Sequence, residues 1–392
     1  MVEAIDWIRS PEWTSFLNAH QQISSDALIL KYSGKNPKDR FFAQQVVARR
    51  KARNKFPLVF FEEPIIFPSI VSIEQASSHQ TATYKRALIN GGTTGVDLTG
   101  GFGMDTFHLA PGFENYYHIE QNALLASICK HNFEVLGLSQ VQVVCTSAEA
   151  WLTSFNSVAD WIVADPDRRP TGQRVVNLSA CTPDVRKLWQ QYQDKGRNWL
   201  VKTSPMYDLT ALFADLPGVR TCHILEMEGD CRELLLELGQ EVVAVPEIIA
   251  AWYEEGRWES YQLPLPELQK PHLSLPKTFV FEPYPSIMKS GRFDAIATQL
   301  GLEKLHPDTH LFTSDTLPTN FPGRTYTIQD VIPIKKGLIP EQLHRIVVRN
   351  FPMPAAEIRR KFKVQEGGQT VLFACKLADG QYGGILGTPV LT

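Results

Sequence analysis

The 392-residue chain predicts an α/β fold: a seven-stranded, doubly wound, parallel-rich sheet, preceded by a mostly helical region and followed by small α+β modules. Three observations predict it. Between Gly92 and Pro246 short apolar runs alternate with helical runs, and alternation of that length implies a parallel-rich sheet covered on both faces. The stretch Val96 to Asp105, VDLTGGFGMD, reads as a strand, a glycine turn and a helix start. Acids recur where strands end, at Asp97, Glu120 and Asp165, which is where doubly wound sheets bind their ligands.

In chain order, residues 1–90 form the helical region. Apolar spacing predicts a helix from Ile5 to Leu17 and another over Phe42 to Lys51. The prolines of FPLVFFEEPIIFP force an extended path, and Ile73 to Leu88 is a turn and a helix delivering the chain to the first strand. Strands are expected near 94–98, 116–120, 141–145, 160–165, 199–203, 221–227 and 241–246, with DCRELLLELG (230–239) as a helix joining the last two. The sheet domain is taken as 91–262. From Trp252 to Lys270 the chain is acidic and aromatic, and with Pro264, Pro266, Pro271 and Pro276 it reads as a linker. A small ferredoxin-like α+β module follows at 275–322, with a strand from Thr278 and a helix from Ile287. A second module, 323–392, has YTIQDVIPI, a helical turn from Pro340 to His344, RIVVRNF, a basic helix from Ala355 to Phe362 and a hairpin turning at Asp379-Gly380.

Composition bounds the class. With 43% hydrophobic and 21% charged residues and no apolar run near the ~18 residues a membrane helix needs, the chain is expected to be globular and to make no membrane contact. Its first residues carry two acids before the first Arg, so no signal peptide is expected and a cytoplasmic location follows. Six cysteines (129, 145, 181, 222, 231, 375) lack C-x-x-C pairing, implying buried small hydrophobes and no metal. Charge is uneven: nine Lys/Arg against one acid in 31–55, four against twelve in 211–270, ten against four in 320–376. A single basic segment is commonly a solvated face. Two of them flanking a ligand-binding sheet favour a polyanionic partner.

The glycine turn carries the first chemistry. Gly100, Gly101 and Gly103 let the backbone approach a ligand. A dinucleotide fingerprint needs a third glycine where Thr106 stands, so the D-x-x-x-G-x-G spacing fits a methyl-donor loop better, with Thr99 in a slot that is often glycine. Asp97 can take the ammonium of the donor's methionine, directly or through water, and Glu120 can accept both ribose hydroxyls. Any doubly wound sheet has glycines and strand-end acids; the combination with a D-P turn at the fourth strand selects the donor pocket.

That turn, Asp165-Pro166-Asp167-Arg168-Arg169-Pro170, is the acceptor side. Methyl transfer to nitrogen needs an amine held in line with the methyl, and a carboxylate accepting its N–H aims the lone pair. Arg168 can stack on a base, grip a phosphate or pair with Asp165 or Asp167. Lys202, at the end of the fifth strand, can meet a phosphate, pair with Asp165 or reach solvent.

In order, IEQASSHQTATYK, VDLTGGFGMDTFHLA, HIEQNALLASICKHNFEVLGL, DWIVADPDRR and VKTSPMYDL resemble a bacterial family of class I adenosyl-methionine-dependent methyltransferases with a THUMP-like C-terminal domain, and LFACKLADGQYGGIL is similar to that domain. The resemblance implies a Rossmann-like class I methyltransferase domain and an RNA methyltransferase related distantly to guanine-N2 enzymes. It implies S-adenosyl-L-methionine at Asp97, Thr99, Gly101, Gly103, Glu120, Ser147 and Asp165, and an acceptor facing Asp165, Pro166 and Arg168. Ser147 stands with Thr146 where many relatives have Gly-Asp, and Asp167 replaces a small residue. The RNA, a tRNA or rRNA, would be gripped by Arg168, Lys202 and the basic helix residues Arg359, Arg360 and Lys361. A methylase of a small molecule or protein, a noncatalytic RNA-binding protein on the same fold and, third, a nicotinamide-dependent dehydrogenase remain the alternatives.

Overall fold

The computed structural model describes residues 2–62, 64–168, 178–266 and 270–390. It divides into two units: Met1–Cys222 with Leu234–Pro246, and His223–Glu233 with Glu247–Thr392.

The first unit begins with seven helices: α1 Val2–Arg9, α2 Pro11–Ala19, α3 Ser25–Tyr32, α4 Pro37–Ala52, α5 Val59–Glu62, α6 Ile70–Gln75 and α7 His79–Leu88. The single helix expected over 5–17 is two, because Pro11 has no N–H to continue α1 and instead opens α2. Ser24, Asn36, Ser69 and Ser78 cap α3, α4, α6 and α7 through side-chain oxygens. Phe42, Phe56, Phe60, Phe67 and Trp13 fill the core beneath α4, which also takes Phe102 from the glycine turn.

Much of the basic charge in this region serves the fold. Arg49 donates to the Phe61 carbonyl, and burial pushes its pKa down. Arg50 donates to the carbonyls of His20, Gln21 and Ile23, and Lys55 to those of Ile73 and Glu74. Lys51 pairs with Glu74 and Lys38 with Glu12. The polyanion argument from segment 31–55 therefore weakens, since its cations tie helices together.

The sheet of this unit uses β1 Gly92–Asp97, β2 Phe113–Ile119, β3 Val141–Val144, β4 Ala159–Ala164, then β7 Gly196–Thr203 and parts of β8 Val219–Met227 and β9 Asp230–Leu238, whose turn end, His223–Glu233, belongs to the second unit. Between β4 and β7 lie two-residue strands, β5 Asp167–Arg168 and β6 Cys181–Thr182, paired antiparallel. The order is β3-β2-β1-β4-β7-β9-β8, with β2, β4 and their outer neighbours parallel to the strand inside them and β9 antiparallel to β7. Connecting helices are α8 Met104–Leu109, α9 Ala123–Val135, α10 Ala148–Ser154, α11 Val185–Tyr192 and α12 Leu209–Asp215.

Two expectations fail here. DCRELLLELG is β9, not a helix, and 241–246 forms no strand. The cause is the turn Glu228-Gly229, both at positive φ (56° and 76°), which folds the chain back as a two-residue hairpin. Strand β9 then lies between β7 and β8, where Leu234, Leu235, Leu236 and Leu238 are buried.

The second unit holds β10 Glu247–Glu254 and β11 Arg257–Gln262, an antiparallel hairpin where a linker was expected. Its turn, Glu255-Gly256, again has both residues at positive φ (51° and 83°). A seven-stranded sheet follows in the order β13-β14-β12-β15-β18-β17-β16. Its strands are β12 Phe279–Pro283, β13 Glu303–Lys304, β14 Phe312–Ser314, β15 Gly323–Ile332, β16 Gln342–Arg349, β17 Gln365–Lys376 and β18 Tyr382–Pro389. Helices α13 Pro285–Ser290, α14 Phe293–Gln299 and α15 Ala355–Phe362 complete it. The helical turn expected at 340–344 is absent, because Gln342 already begins β16 and Leu343 is buried in the core. Among the described residues no helix is long and apolar enough to cross a membrane, and no His/Cys/Asp/Glu group could hold a metal.

Candidate functional site

Parallel pairing of β1 with β2 and β4 sets Asp97 beside His118 and Val163, so the strand ends that carry Asp97, Glu120 and Asp165 open on one edge of the sheet. Asp97 is 3% exposed. Its Oδ1 accepts the Thr99 N–H (3.1 Å) and its Oδ2 the Thr106 hydroxyl (3.1 Å). Burial, reinforced by the charge of Asp105, raises its pKa to about 7.

The glycines have separate causes. A Cβ on Gly100 would meet the His118 ring at 2.2 Å, and one on Gly103 would meet Phe133 at 2.4 Å. Gly103 also sits at φ 83° as the residue before α8. Gly101, at φ 56°, faces open space: a Cβ there would find only the Thr99 carbonyl, at 3.7 Å. Its N–H donates to Glu120 Oε2 (3.0 Å), while Glu120 Oε1 accepts the Asn122 N–H (2.6 Å). Desolvation dominates at Glu120 and raises its pKa despite those bonds.

Thr99 also joins the two halves of the site. Its hydroxyl accepts the Asp165 N–H at 2.6 Å, so the loop after β1 is bonded to the turn after β4. Asp165 Oδ2 in turn accepts from Lys202 Nζ at 2.7 Å, with both side chains about a quarter exposed (28% and 23%). Of the partners open to Lys202 in the sequence, Asp165 is the one it meets. Among the described residues Asp165 Oδ1 has no bond. Pro166 is buried, and Asp167 accepts from Gln75 Nε2 (3.2 and 3.3 Å). Arg168 lies on β5, but its side chain and Arg169 are outside the described residues.

Ser147 is committed to the fold: its Oγ accepts the Ala150 N–H (3.2 Å) as the cap of α10. In the second unit Arg359, Arg360 and Lys361 form the last turn of α15, which anchors through Ile358. Arg360 and Lys361 are exposed and Arg359 half-buried. Two other cations of that segment are structural, since Arg345 and Arg349 both donate to Glu282, which is 4% exposed.

A buried cluster that the sequence did not announce lies beside Asp97. Lys85 Nζ bonds Asp105 Oδ2 (2.7 Å) and Ser77 Oγ (2.8 Å), and Ser77 Oγ donates to Asp105 Oδ2 (2.9 Å). The Lys85 side chain is 1% exposed. Asp105 is held below the usual carboxylate range: burial opposes this, but Lys85 and Ser77 outweigh it. One signal was readable. Lys85 follows Thr81 by four residues and Ala82 by three, both buried on α7, and a cation on a buried helical stripe requires a partner.

The strand order, the glycine turn after β1 and the acids ending β1, β2 and β4 together define the class I methyltransferase arrangement. A protein of Porphyromonas gingivalis W83, solved as a "putative methyltransferase", has the same architecture: 28% identity over 99% of this chain and 98% of that one, TM-score 0.88. Residues 279–322 match the family described as a ferredoxin-like domain, and residues 323–388 the family described as THUMP domain-like. M. capricolum TrmK bound to S-adenosyl-homocysteine is 14% identical over 45% of this chain and 71% of its own, TM-score 0.34. An rRNA methylase from Streptococcus thermophilus is 12% identical over 41% and 93%, TM-score 0.31. No curated protein matches the sequence.

Proposed function

We propose that this chain is an S-adenosyl-L-methionine-dependent methyltransferase acting on a base nitrogen of RNA, tRNA or rRNA, in the manner of guanine-N2 enzymes. The observation that carries the reading is Asp165: its N–H is fixed by Thr99, its Oδ2 by Lys202, and its Oδ1, unbonded among the described residues, can accept an amine N–H.

The donor fits the residues present. Glu120, which accepts from the backbone of Gly101 and Asn122, still offers carboxylate lone pairs to the ribose hydroxyls. The open space over Gly101 admits the ligand to the backbone. Asp97 supplies negative charge behind the loop for the ammonium. Adenine recognition falls to Ser147 only through its remaining lone pair and its hydroxyl hydrogen.

When bound, the donor supplies an electrophilic methyl on a sulfonium. The chain's task is orientation. Asp165 Oδ1 accepts one N–H of the base amine, so the lone pair points forward, and Pro166 fixes the turn that holds the carboxylate. No strong base is needed, because the nitrogen loses its proton after transfer. Arg168 and the α15 cations Arg359, Arg360 and Lys361 would hold the RNA, while Lys202, drawn to Asp165, acts on the acceptor side. In this reading 91–262 is the catalytic domain, and 275–322 and 323–392 present the substrate.

The test is transfer of labelled methyl from S-adenosyl-L-methionine into total RNA from cells lacking this protein, paired with Asp165→Ala. Label with the wild type and none with the variant, which should still bind donor, is the expected result. Donor binding with no label in any RNA would move the assignment to a small-molecule or protein acceptor.

A further inference from the structure

Asp97, Thr106 and His118 form a single file. Thr106 Oγ1 lies 3.1 Å from Asp97 Oδ2 and 2.8 Å from His118 Nδ1, and the three residues are 3%, 0% and 0% exposed. A hydroxyl carries one hydrogen and an ionised carboxylate only accepts. With Asp97 ionised, the Thr106 hydrogen goes to Asp97, and His118 Nδ1 must then be the donor to Oγ1. Nε2 is left as a bare acceptor.

Among the described residues His118 Nε2 is buried and makes no hydrogen bond. The Gly101 carbonyl accepts the Cys129 thiol (3.1 Å). Burial lowers the His118 pKa to about 3 even though the Gly101 backbone favours a proton on the ring, so the ring stays neutral. An imidazole with one buried nitrogen left orphaned costs stability. We propose that Thr106 and His118 are positioning residues for Asp97: the imidazole locks the Thr106 hydroxyl so that its hydrogen is presented to the carboxylate facing the donor's ammonium. The role rests on the donor reading of Asp97. Other groups facing Asp97 are Lys85 from α7, which favours its charge, Asp105 from α8, which opposes it, and Tyr116 from β2 and Cys129 from α9, whose pKa values burial holds well above their usual ranges.

The experiment is calorimetric binding of S-adenosyl-L-methionine to the full chain from pH 6 to 9, with thermal unfolding alongside. Thr106→Val should weaken binding by roughly tenfold or more, the loss of a hydrogen bond to a charged group, and His118→Phe, which leaves the Thr106 hydroxyl in place but unlocked, should weaken it less. Both should move the Asp97 midpoint upward, by about one pH unit for a tenfold effect. Thr106→Ser and His118→Asn, whose Nδ2–H takes the place of Nδ1–H, should restore most of the affinity. A His118→Phe protein that binds donor normally but unfolds more easily would make His118 a packing residue and overturn the proposal. Ring 15N shifts at pH 8, assigned through His118→Asn, give a readout independent of donor: Nδ1–H is expected, and Nε2–H overturns the proposal. The expected tautomer with no donor binding by the wild type would instead defeat the donor reading.

Discussion

Replacing Lys85 with Met should cost the first unit far more than a surface cation would. The side chains of Lys85 and Asp105 are 1% and 10% exposed, so the substitution leaves a carboxylate buried with Ser77 as its remaining hydrogen-bond donor. Removing one partner of a buried pair costs about 3–5 kcal/mol. For a unit of this size that is a fall in Tm of roughly 6–20 °C. The pH dependence fixes the cause. In the wild type the Asp105 pKa is depressed, so its contribution is present above the ordinary carboxylate pKa of 3.8 and is lost as pH falls through the folded value. Without Lys85 the same carboxyl is raised by burial, and protonation relieves the strain. Destabilisation should therefore be largest near pH 8 and shrink toward pH 5. The double variant Lys85→Met, Asp105→Asn should recover most of the loss. Thermal unfolding followed by tryptophan fluorescence at both pH values is the assay. A loss below about 1 kcal/mol, or one independent of pH, would refute the argument, since that is the range of exposed pairs.

Three further outcomes are expected. Donor affinity should rise with pH through about 7, because Asp97 must ionise to meet a cation; from pH 6 to pH 8 the gain is about tenfold, and Asp97→Asn should abolish the slope in calorimetry. Changing Arg359, Arg360 and Lys361 together to Ala should reduce the slope of log affinity for single-stranded RNA against log salt by up to about 2, as filter binding would read; an unchanged slope removes α15 from the RNA surface. Gly103→Ala should destabilise the first unit through its φ of 83° and the Phe133 contact, whereas Gly101→Ala, strained only by its φ of 56° with open space around its Cβ, should cost less stability and lose donor binding as well.

What the sequence made legible was local. The strand-turn-helix at Val96–Asp105 and the acids ending β1, β2 and β4 are contiguous signals, and each element forms where it is read. Two of the misreadings share one cause. Glu228-Gly229 and Glu255-Gly256 are two-residue turns with both φ values positive, but an acid before the glycine inside acidic segments reads as solvated helix or linker. LLLEL then satisfies either period, and only the neighbours β7 and β8 decide for a strand. The charge argument weakened over 31–55 for a different reason: composition counts Arg50 and Lys55 as available, while the carbonyls they bond lie 18 to 30 residues away. Lys85, Asp105, Thr106 and His118 are brought together by the parallel sheet and by α7 packing against α8, so no spacing along the chain could join them.

The bond between the Thr99 hydroxyl and the Asp165 amide has a consequence for the order of events. In-line transfer tolerates little error between the atom that gives and the atom that takes, and about 1 Å of drift costs on the order of a hundredfold in rate. In the proposed reading, a clamp made of one side chain and one backbone amide sets that separation before either ligand arrives. Seating the first ligand on the loop then tenses the seat of the second, so the two substrates are expected to sense each other's arrival through Thr99. A mutation there would masquerade as a defect in whichever ligand was being assayed.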